Sequence, residues 1–350
     1  MVRGNEQKPP VLASENLISI EVTTQCNIEC RHCFVRSKTA KQASLSFDIL
    51  KDILSEAYDT GYRRLHLTGG EPLLFNCLFE VLDYALSLGY ISILLNTNGI
   101  LLSEDTCKVL GHHNGIFISV SLDGTEKLHN RIRGNGTYER VIRGIKNAHH
   151  ADIDTIIFTT LYKTLVPELG GFSKTVFNSF PKIKHISLIP LMRTMGDDFT
   201  LSDDLLDLDD FIRVIQGVFL LNTFGHRIDV LNEPLMYAAS MLLDTPLMKW
   251  SPSMNREGSI IVMADGSVGL SHFDKTNFGQ YEVGKISKVL TSAEFKRAVS
   301  ADERICPSCK YNSLCKRNGM DRPSNINGQH VPKTLFCKSL LDRIIQKKKT

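Results

Sequence analysis

The feature that most constrains this chain is a run holding three cysteines within eight residues, Cys26-Asn27-Ile28-Glu29-Cys30-Arg31-His32-Cys33. It follows directly on an apolar, strand-like run, Leu17 to Val22. Three thiols this close can wrap one small inorganic cluster, and thiolates are the usual ligands of iron–sulfur clusters. A cubane has four irons, so three cysteines leave one iron open. A small molecule can bind there and receive an electron. Spacing alone leaves two other readings. Zinc is one, but a structural zinc site wants four ligands in paired spacing, and His32, lying between two cysteines, is poorly placed as the fourth. Ordinary buried thiols are the other.

Strand and helix patterns alternate from Leu17 to Pro190. Strands are expected at Leu17–Val22, Arg64–Thr68, Ile91–Asn96, Ile116–Leu122, Thr155–Tyr162 and His185–Pro190. Helical spacing falls between them at Phe47–Tyr58, Leu74–Leu88, Ser103–Leu110, Tyr138–His149 and near Glu168–Asn178, with Ser46 and Ser103 as N-caps. Strand then helix, repeated six times, reads as a parallel sheet with covering helices, an α/β fold curling toward a barrel. Ligand groups gather at the C-terminal strand ends of such sheets. Cys26, Gly69, Asn98 and Asp123 follow strands one to four in turn, which points to one shared site.

Beyond Leu191 the pattern changes. Leu205–Leu221 and Pro234–Leu243 have helical spacing, and Asp265-Gly266 between Ser259–Met263 and Ser267–Ser271 signals a hairpin. A terminal helix is expected near Ser339–Lys347. The expected division is an arm at 1–15, a core domain at 16–195, a helical connector at 196–254 and a second domain at 255–350.

The chain has 350 residues, 42% of them apolar, enough to bury a large core. A net charge of +3 gives no argument for nucleic acid. No run of eighteen apolar residues would span a membrane, and the polar start Met1 to Pro10 lacks a signal-peptide core, so a cytoplasmic protein is expected. Nine cysteines in such a chain read as ligands rather than disulfides, and seven of them fall in two clusters.

The spacing C-x3-C-x2-C after a first strand, followed by Gly69-Gly70-Glu71-Pro72 after a second, resembles the signatures of the radical S-adenosylmethionine (SAM) enzymes. The resemblance implies a partial (β/α)6 barrel, and a [4Fe–4S] cluster on Cys26, Cys30 and Cys33 whose open iron chelates SAM. It implies reductive cleavage of SAM to a 5′-deoxyadenosyl radical that takes hydrogen from a substrate. Gly69 and Gly70 would let the backbone approach the methionine end, and Glu71 would pair with its ammonium. His32 stands where the family usually has an aromatic residue, for the adenine. Arg133 resembles the arginine that meets the SAM carboxylate. Asn96, Asn98, Ser121 and Asp123 would contact ribose or methionine, though each taken singly is a common turn or capping residue.

The second group, Cys306, Cys309, Cys315 and Cys337, could by spacing hold zinc or iron–sulfur. It resembles part of the SPASM domain, C-x9-15-G-x4-C, then C-x2-C-x5-C-x3-C, then a final cysteine. Gly266 matches the hairpin glycine, but Ser271 and Gly319 stand where cysteines are expected. One auxiliary [4Fe–4S] cluster is therefore implied, making two in all, within a smaller, loop- and hairpin-rich C-terminal domain.

SPASM-bearing enzymes mostly modify peptides. A peptide-cross-linking, epimerising or oxidising maturase is the first reading, with a separate peptide-recognition protein or direct binding. A small-molecule enzyme for tetrapyrrole side chains or alcohols is the second. Either would need a reductant such as flavodoxin or ferredoxin. A zinc-stapled binding protein without catalysis is the reading of a different class.

Overall fold

The computed structural model describes residues 17–33, 42–191, 201–231, 234–245, 260–270, 276–299, 324–326, 329–331 and 333–349. Six strands match the expected ones within about a residue at most ends: β1 (Leu17–Thr23), β2 (Arg64–Gly69), β3 (Ser92–Thr97), β4 (Ile116–Ser121), β5 (Asp154–Leu161) and β6 (Ile186–Pro190). They pair in chain order and in parallel, each beside its predecessor. A seventh, β7 (Ile228–Val230), adds to β6. It has no signal in the sequence because it is three residues long and Asp229 interrupts its apolar run.

The helices between strands are α1 (Phe47–Asp59), α2 (Leu78–Leu88), α3 (Glu104–Gly111), α4 (Glu126–Arg133), α5 (Thr137–His150) and α6 (Leu169–Ser179), with α7 (Leu208–Thr223) before β7 and α8 (Pro234–Leu242) after it. Ser46 and Ser103 cap α1 and α3 as expected, accepting from Ile49 N and Thr106 N. Helix α4 was not expected, since only Leu128 and Ile132 among its eight residues are apolar. The expected helix Leu74–Leu88 is split: a 3-10 turn covers Pro72–Leu74, and α2 begins after Cys77.

Two strands after α8, β8 (Ile260–Val262) and β9 (Ser267–Gly269), form the expected hairpin, but its turn is centred differently. Gly266 N donates to Met263 O, and Gly266 follows with φ +84. Its strands continue the main sheet. β8 runs parallel to β1 on the side away from β2, and β10 (Asn277–Gln280) closes the order β10-β9-β8-β1-β2-β3-β4-β5-β6-β7. The sheet is unclosed. Helices α9 (Lys285–Thr291) and α10 (Ala293–Val299) follow, then a small hairpin, β11 (Ser324–Ile326) and β12 (Gln329–Val331), and α11 (Lys333–Lys349). Among the described residues no helix is long and apolar enough to cross a membrane.

Alternation along the strands gives the sheet two faces. One carries Ile18, Ile20, Leu65, Leu67, Ile93, Leu95, Ile118, Val120, Ile157 and Ile186, all fully buried in one core with residues of α1, α2, α5 and α7. The other, inner face carries Ser19, Glu21, His66, Asn96, Ser119, Ser121, Phe158 and Thr160. Of these, Ser19, His66, Asn96, Ser121, Phe158 and Thr160 are half-buried, so this face borders open space below the strand ends.

Candidate functional site

The cysteine loop leaves β1 at Thr23, and the exits of β2 to β5 fold in around it. Gly70 N donates to Thr23 O and Glu71 N to Gln25 O, both at 2.7 Å. These bonds press the Gly-Gly turn onto the segment just ahead of Cys26. A Cβ at Gly69 would fall on Thr23 O, and one at Gly70 on Gln25 O. Close backbone approach therefore requires both glycines here, whatever the site binds.

Glu71 is completely enclosed. Its Oε1 accepts from Leu73 N at 3.1 Å and Thr97 Oγ1 at 2.8 Å, and its Oε2 accepts from Asn98 N at 2.7 Å. Burial pushes its carboxyl up to about 7, against the pull of those donors. Its carboxylate, met by these three donors, clamps the exits of β2 and β3 together, and Oε2, with one donor, keeps acceptor capacity for another. Asn98, delivered by that clamp, turns its Nδ2 toward Asn27 Oδ1 at 2.6 Å and Cys26 Sγ at 3.9 Å.

On the other side, Asp123 after β4 is also fully enclosed. Its Oδ2 accepts from Arg133 Nε at 2.6 Å and its Oδ1 from Thr160 N at 2.7 Å. Asp123 N donates to His129 Nδ1, and Tyr162 Oη donates to Asp123 O. Burial would raise the Asp123 carboxyl, but Arg133, then His32 and His129, outweigh it and hold it below the ordinary aspartate value. Arg133 ends α4 and reaches on to Cys30 Sγ with Nη1 at 3.8 Å and to His32 Nε2 with Nη2 at 3.5 Å. Backbone joins the same pieces, since Arg31 N donates to Ile132 O.

Burial pushes the Cys30 thiol up to about 12, with Arg133 opposing, and raises Cys26 as well. Burial also drives His32 down to about 4, so its ring is neutral. His32 Nδ1 and Asn27 Nδ2 are buried beside the cysteines without a hydrogen-bond partner.

Cys26, Cys30 and Cys33 are half-buried and free of disulfides. Among the described residues no three His, Cys, Asp or Glu side chains converge tightly enough for a single metal ion. Three free sulfurs on one loop, with N–H donors from Asn98 and Arg133 turned toward two of them, suit a four-iron cluster.

The structure thus brings His32, Gly69, Gly70, Glu71, Asn98, Asp123 and Arg133 around the three cysteines. Ser121, half-buried on the inner face at the end of β4, makes none of these bonds. Cys306, Cys309 and Cys315 lie outside the described residues, and Cys337 is half-buried on α11 against the core. Sequence reasoning missed Asn27, Thr97, His129, Thr160 and Tyr162. Three of these, Thr97, Thr160 and Tyr162, sit at strand ends, the one signal that could have found them.

The pattern of the radical SAM superfamily matches residues 20–168. The AdoMet-dependent heme synthase of Oleidesulfovibrio alaskensis is 30% identical over 92% of this chain and 86% of its own length. The mycofactocin maturase MftC of Mycolicibacterium smegmatis is 26% identical over 44% of this chain and 39% of its own length. Against another curated heme synthase the match spans only about half of that protein, 51%. The structure of Streptococcus suis SuiB bound to precursor peptide SuiA superposes with a TM-score of 0.69 at 17% identity, covering 89% of this chain and 71% of that one.

Proposed function

The chain belongs to the radical SAM superfamily, and from that premise we propose that it is an oxidoreductase that takes a hydrogen atom from a peptide side chain lying on the inner face of its sheet. Cys26, Cys30 and Cys33 would hold the [4Fe–4S] cluster, with SAM beside it. The observation that carries this reading is the gathering of Gly69–Glu71, Asn98 and Asp123 at successive strand ends, with Arg133 from the end of α4, around the cysteine loop. Held by those three cysteines, the cluster would supply the electron for reductive cleavage of SAM.

The chain's own residues do the positioning. The Gly69-Gly70 backbone forms the wall nearest Cys26, and Glu71 fixes it to Asn98. Asp123 orients Arg133, whose remaining N–H groups face Cys30 and an incoming carboxylate. His32, neutral and half-buried, would offer a flat ring for adenine. Cys306, Cys309, Cys315 and Cys337 would hold a second [4Fe–4S] cluster. A flavodoxin- or ferredoxin-type protein would supply electrons, and a separate recognition protein could present the peptide.

Support for a peptide comes from the maturase relative and from SuiB, which holds a precursor peptide on the same fold. One finding favours the second reading, a tetrapyrrole side chain: the heme synthase match runs over nearly the whole chain. The test is to incubate anaerobically reconstituted, reduced enzyme and SAM with a peptide library in one arm and iron-coproporphyrin in the other. Mass change in a peptide supports the first reading. Loss of carboxyl groups from the porphyrin, with peptides untouched, replaces it with the second.

A further inference from the structure

Asp229 is an acid that the site above does not use. It is the middle residue of β7, and its neighbours Ile228 and Val230 enter the helix-covered core. Asp229 therefore points to the inner face. It is 0% exposed, yet neither carboxylate oxygen makes a hydrogen bond of ordinary length and angle, Ser187 and its own backbone N–H lying near enough only to offset its burial in part. Beside it in register on β6 is Ser187, also 0% exposed, and its Oγ makes no ordinary hydrogen bond either. Burial pushes the Asp229 carboxyl up to about 7. A buried acid and hydroxyl left together without ordinary hydrogen bonds are uncommon, because each desolvated group without a good partner costs free energy.

The register extends the row. Ser187 pairs with Phe158 of β5, and Phe158 pairs with Ser121 at the end of β4, two residues before Asp123. One row of the inner face thus runs from the catalytic rim past an aromatic ring to a hydroxyl and a carboxyl. The sign of this face is also one-sided. Its strands β1 to β7 carry Glu21 and Asp229 at depth, and their basic residues on this face are Arg64, at the opposite, N-terminal end of β2, and His66, which burial holds neutral.

Building on the radical SAM reading, we propose that Asp229 and Ser187 form a substrate-anchoring subsite for a cationic nitrogen, the ammonium or guanidinium of an extended basic side chain. The aliphatic stem would lie along Phe158 while the head donates to the carboxylate and the hydroxyl. An anionic group would meet a carboxyl with no buried cation to offset it. The subsite therefore favours a basic peptide side chain over a propionate at this depth.

The test measures binding of N-acetyl-lysinamide, N-acetyl-norleucinamide and N-acetyl-glutamate amide to the reconstituted enzyme with SAM present. The lysine probe is expected to bind about tenfold or more tightly than the norleucine probe in the wild type, a gain typical of a charge-assisted bond. Asp229→Asn should bring the two together, and Ser187→Ala should narrow the gap. Equal affinities in the wild type, a preference unchanged in Asp229→Asn, or tightest binding of the glutamate probe would overturn the proposal. Such results would mean that the pair holds an ordered water only. If Asp229→Asn does not fold, the wild-type probe series still decides. 5′-Deoxyadenosine formation is followed in parallel. Its presence without lysine preference removes the subsite and leaves the radical SAM reading; its absence with lysine preference does the reverse.

Discussion

Asp123 and Arg133 face each other at 2.6 Å with the carboxylate fully enclosed. Removing one partner of such a pair strands the other charge out of water. Asp123→Asn should therefore destabilise the protein by about 3–5 kcal/mol in denaturant unfolding, and should loosen Arg133 from Cys30. Asp229 makes the opposite kind of prediction. Its carboxyl is raised by burial from 3.8 to about 7, with Ser187 and its own backbone opposing only in part. Between those values the native chain keeps a proton that the unfolded chain releases, so stability falls as pH rises and levels off above about 7. The effect is worth up to about 4 kcal/mol. The wild-type minus Asp229→Asn difference in unfolding free energy should decline from pH 5 to 7 and stay flat at pH 8. A flat difference throughout would mean that Asp229 is ionised at all these pH values. At this scale the cysteines were legible from their spacing, and Gly69-Gly70 and Arg133 only from the family resemblance. The sequence did not show that Glu71 is enclosed by Leu73, Thr97 and Asn98, because that depends on how two strand exits meet.

At the scale of elements, β1 to β6 were legible because each is a short apolar run closed by a turn. β7 and α4 were not: one is too short, and the other is too charged to show a period. The seating of helices on strand ends is equally silent in the sequence. Gly144 of α5 lies so close to the end of β3 that a Cβ would fall on Gly99 O. Gly144→Ala should push α5 off that seat and cost about 1–3 kcal/mol as overpacking, although alanine is the better helix former. A rise in melting temperature would show that the helix shifts freely.

For the molecule as a whole, β1 is the shared spine. It pairs with β2 on one side and β8 on the other, so the C-terminal hairpin and the strands that carry the cysteine loop and the Gly-Gly turn belong to one sheet. Glu56 of α1 ties the next segment down, accepting from Tyr281 Oη, Gly284 N and Ser287 N at the start of α9. The sequence suggested a hairpin at Asp265-Gly266 but not its place beside β1, since pairing between residues so far apart leaves no local pattern. On the proposed function, SAM is cleaved at the loop on this spine, Cys26 to Cys33. The measurement that tests it most directly is 5′-deoxyadenosine formation by anaerobically reconstituted, dithionite-reduced protein, with iron counted on the same samples. The wild type should produce it, and a Cys26→Ala/Cys30→Ala/Cys33→Ala variant should produce none while holding about four fewer irons per chain. Equal product or equal iron in the two proteins would contradict the account.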